Sequence, residues 1–275
     1  MKRFFLTVLT FLSFGAYNRV MAAPEPELSV TDKSPDFSSR QLHRGRTTVG
    51  NMKNKGVYEW ENGDKYEGRF VDGSAEGDGV YDWKNGDRYE GGFVNGEAEG
   101  FGRYEWTDDK LYNVGDVLTK VFNMYEGEWK CGKRYGKGKA KWSNGDSYEG
   151  DWINDVREGS GTYYGANGDK YVGEFKNNRR NGHGIYYYAN GDIYEGEWLN
   201  GEKHGKGKYT YANGNVYEGE FVNSYIAGYG KYTWVSGAVY EGEFKDDMRN
   251  GQGVYTMPNG RQISGMWKDN RHVGS

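Results

Sequence analysis

The sequence predicts an all-β protein: an elongated, twisted antiparallel ribbon of stacked β-hairpin repeats, in about nine copies of 23 residues. Three observations point there. First, Tyr148, Tyr171, Tyr194, Tyr217 and Tyr240 stand 23 residues apart, Tyr66 and Tyr89 keep that interval upstream, and Ile263 takes the slot in a degraded last copy. Second, side chains within each copy alternate between apolar and charged with period two, the pattern of a strand with one dry and one wet face. Third, 45 Gly and 25 Tyr stand against four Pro, and a disordered chain would not carry 17% aromatics.

Taken in order, the chain opens on Met1-Lys2-Arg3, a basic start, followed by the uncharged apolar run Phe4 to Ala16 and small side chains before Ala23. That sequence reads as a secretory signal peptide over 1–22, which predicts export to the outside, a periplasm or an endomembrane lumen. An uncleaved membrane anchor and an organelle transit peptide are the alternatives. Residues 23–50 are polar and aperiodic, and predict a flexible leader. The repeats then fill 51–275, preceded by the remnant of a decayed copy near His43.

With the opening tyrosine of a copy numbered zero, Tyr, Gly and Trp or Phe fall at 0, +2 and +4, as in Tyr217-Gly219-Phe221. A second strand starts at the Gly of +13 with Tyr at +15 and an aromatic at +17, as in Gly207-Tyr209-Tyr211. Glycines share the aromatic face, so rings can lie over bare backbone. Between copies lies Asn-Gly, for example Asn190-Gly191 and Asn213-Gly214, which predicts a tight hairpin turn with two positive-φ residues. The stretch +5 to +12 is expected to be the longer loop. Thirteen extra residues before Tyr125 predict an enlarged hairpin or surface loop at about 110–124.

The pattern YEGEW-x-NG-x-x-HG-x-G at this interval resembles the MORN repeat (membrane occupation and recognition nexus), with openings at Tyr66, Tyr89, Tyr125, Tyr148, Tyr171, Tyr194, Tyr217 and Tyr240. Val172, Ser236 and Gly165 depart from it in single copies. The resemblance implies a twisted hairpin ribbon and a scaffold or membrane-associated module. Some members bind acidic phospholipids and others hold a partner peptide in the aromatic groove. It implies no single biochemical activity.

Enzyme chemistry finds little footing in the residues. Paired carboxylates such as Glu195/Glu197 recur in nearly every copy, whereas a catalytic pair occurs once, in contrasting environments. His43, His183, His204 and His272 are too scattered for a metal site, and no cofactor is expected. Gly205-Lys206-Gly207-Lys208 lacks the phosphate-loop pattern, and Cys131 is a lone thiol. A net charge of −4 argues against nucleic acid.

Two features carry binding. An aromatic face without a second layer invites a protein partner or a homodimer, and Trp129, Trp152, Trp198, Tyr209, Tyr211 and Trp234 are the candidates. A basic loop edge, Lys130, Lys133, Arg134, Lys176, Arg179, Arg180 and Lys203, is the candidate site for anionic membrane lipids. The expected function is therefore a non-enzymatic scaffold or adaptor. A peripheral membrane protein and an enzyme-associated regulatory module are the alternatives.

Overall fold

From Gly45 onward, every described residue outside turns and connections is in a strand of one antiparallel sheet, in which each strand pairs with its neighbour in sequence. The computed structural model describes residues 35, 37, 45–49, 55–114 and 117–274, with backbone alone for 45–49, 108–114 and 117–122. Twenty strands result. They run β1 (Gly45–Val49), β2 (Gly56–Trp60), β3 (Lys65–Val71), β4 (Ser74–Asp82), β5 (Arg88–Val94), β6 (Glu97–Val114) and β7 (Val117–Lys130). Next come β8 (Lys133–Lys141), β9 (Ser147–Ile153), β10 (Val156–Tyr164), β11 (Lys170–Lys176), β12 (Arg179–Tyr187), β13 (Ile193–Leu199) and β14 (Glu202–Thr210). The last are β15 (Val216–Val222), β16 (Tyr225–Thr233), β17 (Val239–Lys245), β18 (Met248–Thr256), β19 (Gln262–Lys268) and β20 (Arg271–Gly274).

Two turn assignments are the reverse of the sequence expectation. Leu199 pairs with Glu202, so the tight two-residue turn is Asn200-Gly201, at +6 and +7, with φ of 53° and 90°. Asn177-Asn178 and Asp246-Asp247 do the same in other copies, and Asn and Asp tolerate that left-handed region. The Asn-Gly at +19 and +20 lies instead in a five-residue connection. Tyr211 and Asn215 close it (N to O, 2.9 Å), Gly214 alone of the pair has positive φ, and Asn213 accepts the amide of Asn215 at 3.0 Å. That side-chain acceptor makes the connection an Asx loop rather than a two-residue hairpin turn. The glycine at +11 forms a bulge: pairing slips between Gly196/Glu197 on one strand, with Gly205 (φ 57°) and Lys206 extruded from the other.

The ribbon also begins earlier than residue 51. Gly45–Val49, with its β-branched Thr47, Thr48 and Val49, pairs with β2 as β1. The insertion extends the arms of one hairpin, β6 and β7, which stay paired out to Val114 and Val117. The expected signal peptide over 1–22 lies outside the described residues.

The single layer builds its core from ring edges. Tyr194 is fully buried, and a Cβ on Gly196 or Gly207 would come within 2.6 Å of its ring or hydroxyl. The tyrosine therefore lies flat over two glycines, and its hydroxyl donates to the carbonyl of Glu197 at 2.9 Å. Its edges meet Trp198 of its own copy (5.1 Å, 87°) and Phe221 of the next (5.0 Å, 82°). The same T-shaped step repeats at Tyr125, Tyr148, Tyr171, Tyr217 and Tyr240, so one continuous ladder of rings joins the copies. Each such pair adds roughly 0.5–1.5 kcal/mol beyond its burial.

Candidate partner-binding face

The tight turn at +6 and +7 decides which side chains share the aromatic face, because residues directly opposite across two strands point the same way. Trp198 pairs with Lys203, Trp129 with Arg134, Phe175 with Arg180 and Phe244 with Arg249. Position +9 therefore lies under the rings and is buried. Arg180 sits 4.4 Å from the Trp198 ring centre and 4.9 Å from that of Tyr186, and its Nη2 donates to the carbonyl of Gly201 in the next turn at 2.8 Å. Arg157 and Arg249 repeat that bond to Asn178 (2.8 Å) and Asn270 (2.6 Å). Arg134 adds an ion pair with Asp155 at 3.1 Å. Each of these four arginines locks the turn of the following copy from inside a cage of rings.

This placement corrects the basic edge. Arg134, Arg180 and Lys203 are 2–3% exposed and belong to the core, out of reach of a headgroup. Lys130, Lys133, Lys176 and Arg179 are exposed beside the tight turns. The seven therefore do not form one surface.

Lys203 differs from the arginines because an ammonium can shed its charge. Burial pushes its pKa down from 10.5 to about 8, against the pull of Asp247 and with a further push from Arg180. Between those values the unfolded chain holds the extra proton, so the contribution of this one group to stability rises as pH climbs from about 8 towards about 10. Beyond that the trend reverses, since burial raises tyrosines such as Tyr66 and Tyr240 to about 12 and they keep protons that unfolded tyrosines release. Urea unfolding at about pH 7.5 and about pH 9.5 is expected to carry a Lys203 contribution of about 2 kcal/mol in favour of the higher pH, superimposed on the opposing tyrosine contribution that any Lys203 variant shares. Lys203→Met, tolerable because Ile226 fills the same position in the next copy, is expected to remove it. Equal pH dependence in both proteins would contradict this assignment.

The wet face is also partly structural. Glu197 accepts the amide of Lys206 in the bulge at 2.9 Å, and Glu128, Glu174 and Glu243 do the same for Lys137, His183 and Gln252. The +1 carboxylates meet lysines across strands instead, as in Lys139–Glu149 and Lys208–Glu218, both at 3.0 Å. A ladder of buried acids at +21 was not singled out from the sequence. Asp192 accepts from the Tyr209 hydroxyl at 2.7 Å, the Ala212 amide at 2.8 Å and the Asn190 side chain at 3.0 Å. Asp64, Asp87 and Asp169 repeat the tyrosine bond. The recurring Asn-Gly-Asp was the available signal.

Of the six aromatic candidates, Trp129, Trp152, Trp198 and Tyr209 are at most 2% exposed and are core. Their indoles are satisfied within the sheet, as when Trp198 Nε1 donates to the Gly184 carbonyl at 3.2 Å. Tyr211 and Trp234 are half-buried. They belong to the +17 row with Trp83, Trp142 and Tyr188, all half-buried and packed on the core from one side. Gly165 leaves a gap in that row between Trp142 and Tyr188.

Comparison with protein-family profiles finds the MORN repeat at 50–65, 66–88, 89–110, 125–147, 148–170, 171–193, 194–216, 217–239 and 240–260. The chain belongs to the MORN repeat family. After the first, the matched copies start on the opening tyrosines, and the gap before residue 125 is the insertion. A comparison with curated protein sequences finds no match. Solved structures similar to this MORN ribbon include the TCP10c domain of Drosophila melanogaster Sas-4, at 15% identity over 71% of this chain and 96% of that one, TM-score 0.31. Another is the Drosophila SAS-4 TCP domain in complex with a proline-rich motif of Ana2, at 14% identity over 84% and 100%, TM-score 0.34. The TCP10 domain of Danio rerio CPAP follows at 12% over 78% and 94%, TM-score 0.27.

Proposed function

We propose that this MORN protein is a non-enzymatic scaffold that binds a protein partner, another polypeptide or a second copy, along the row Trp142, Tyr188, Tyr211 and Trp234. The carrying observation is the two-tier face: rings at 0 and +4 and, as far as Tyr232, at +15 are sealed, while at +17 Trp106 is buried but Trp142, Tyr188, Tyr211 and Trp234 stay half-open. Large apolar surface arranged in a row marks an interaction site. The non-enzymatic part is supported by the carboxylates, which are engaged in bulges, turns and cross-strand pairs. Export is part of the reading, supported by the basic start and apolar run of 1–22.

Size separation of the full chain from its native source tests it. The native protein is expected in an assembly larger than its 31.3 kDa. The double variant Tyr211→Ser/Trp234→Ser is expected to elute as the free chain with its β-sheet circular dichroism unchanged. Native and variant chains running alike, assembled or free, would reject the row as the docking surface.

A further inference from the structure

Position +9 holds a cation in five copies, but it is Ala75 and Ala98 in the two copies that open at Tyr66 and Tyr89. The cage that such a cation fills is fully drawn around Arg249, whose guanidinium lies 6.0 Å from Trp234, 5.4 Å from Tyr240, 5.7 Å from Tyr255 and 4.3 Å from Trp267. It closes on the next tight turn through the Asn270 carbonyl. In the copy that opens at Tyr89, the equivalent positions are Trp83, Tyr89, Tyr104, Trp129 and the turn at Gly132, with only the methyl of Ala98 in place of an arginine. Phe37, from far upstream, enters this cage. Its ring lies 5.5 Å from Trp83, 5.5 Å from Tyr89 and 6.0 Å from Phe93, all edge-on. A Cβ on Gly132 would come within 3.2 Å of it. Phe37 is 9% exposed, and Pro35 two residues before it is buried as well.

We propose that the cage over Ala98 is a docking pocket for the aromatic side chain of a Pro-x-Phe segment, filled in this chain by its own Phe37, two residues after the buried Pro35, and open to a competing segment from another polypeptide. It rests on the scaffold reading only in using the aromatic face; the pocket lies apart from Tyr211 and Trp234. A removable occupant fits the energetics. A tethered segment acts at an effective concentration of about millimolar, so one that binds at about 0.1 mM keeps the pocket about nine-tenths filled and still exchanges. A trans segment that binds this pocket more tightly than the tethered one can therefore displace it.

The test uses the full chain and a fluorescent peptide of residues 31–41, TDKSPDFSSRQ. Fluorescence anisotropy is expected to show the peptide binding Phe37→Ala at least about tenfold more tightly than the native chain, whose pocket is already filled. Adding Ala98→Arg to Phe37→Ala, which restores the cation of the other copies, is expected to abolish binding. In the otherwise native chain, Ala98→Arg is expected to expel the leader and speed trypsin cleavage after Lys33 and Arg40. The proposal is overturned if Phe37→Ala fails to bind, if native and Phe37→Ala chains bind equally, or if Ala98→Arg leaves both binding and cleavage unchanged. Tyr211→Ser/Trp234→Ser should leave peptide binding intact even though it disperses the assembly, so each reading can fail without the other.

Discussion

Trp198→Ala is expected to destabilise the ribbon by about 4 kcal/mol, measured as the loss of urea unfolding free energy in the full chain. The indole touches Tyr171 and Tyr194 edge-on, lies 5.9 Å from Tyr186, carries Arg180 on its face and donates to the Gly184 carbonyl. Truncation opens a cavity between two copies and strips a buried guanidinium of its best ring. A ribbon cannot reseal that gap from a second layer, because none faces it among the described residues. Trp234→Ala, at a half-buried position of the outer row, is expected to cost about 1–2 kcal/mol. Similar losses at both positions would mean that the two tiers of rings are not distinct.

Asp192→Ala is expected to cost about 3 kcal/mol, whereas Asp192→Asn should cost about 1 kcal/mol. Alanine leaves the Tyr209 hydroxyl and the Ala212 amide without an acceptor inside the sheet. Asparagine preserves the ladder in altered form. In the next copy Asn215 donates to the Tyr232 hydroxyl at 3.1 Å and accepts the Val235 amide at 3.0 Å, and Asn123 accepts from Ser143 at 2.9 Å. Equal losses for both variants would assign the position to negative charge rather than to hydrogen bonding.

The strand pattern, the copy number and the flat tyrosines over glycines were legible because each rests on a strict period in the sequence. The turns were not, and one misreading carried another with it. Asn-Gly at +19 and +20 is the stronger hairpin signal, whereas the real two-residue turn varies from copy to copy, as in Asn200-Gly201, Asn177-Asn178, Asn223-Ser224, Asp246-Asp247 and Cys131-Gly132. Once +5 to +12 is read as a loop, Arg134, Arg180 and Lys203 fall on an edge facing water. With the turn at +6 and +7, the same residues pair with the +4 aromatics and turn inward. Their 23-residue interval carried the warning, since a position that recurs in register belongs to the unit itself. The cage around Phe37 could not be found by period at all. It arises where the repeat lacks its cation, at Ala98, and where a residue outside the repeats fills the space.

Hydroxyl-radical footprinting, comparing the purified full chain with the protein in its native extract, measures the central claim directly. In the purified chain, Trp142, Tyr188, Tyr211 and Trp234 should be oxidised and Trp129, Trp152 and Trp198 protected. In the extract the first four should become protected, while the exposed outer tyrosines Tyr164, Tyr187 and Tyr229 keep their reactivity. Protection of the outer tyrosines in place of the row, or a row oxidised in both states, would contradict the assignment of this face to a partner, whereas a row protected in both states would make the partner a second copy.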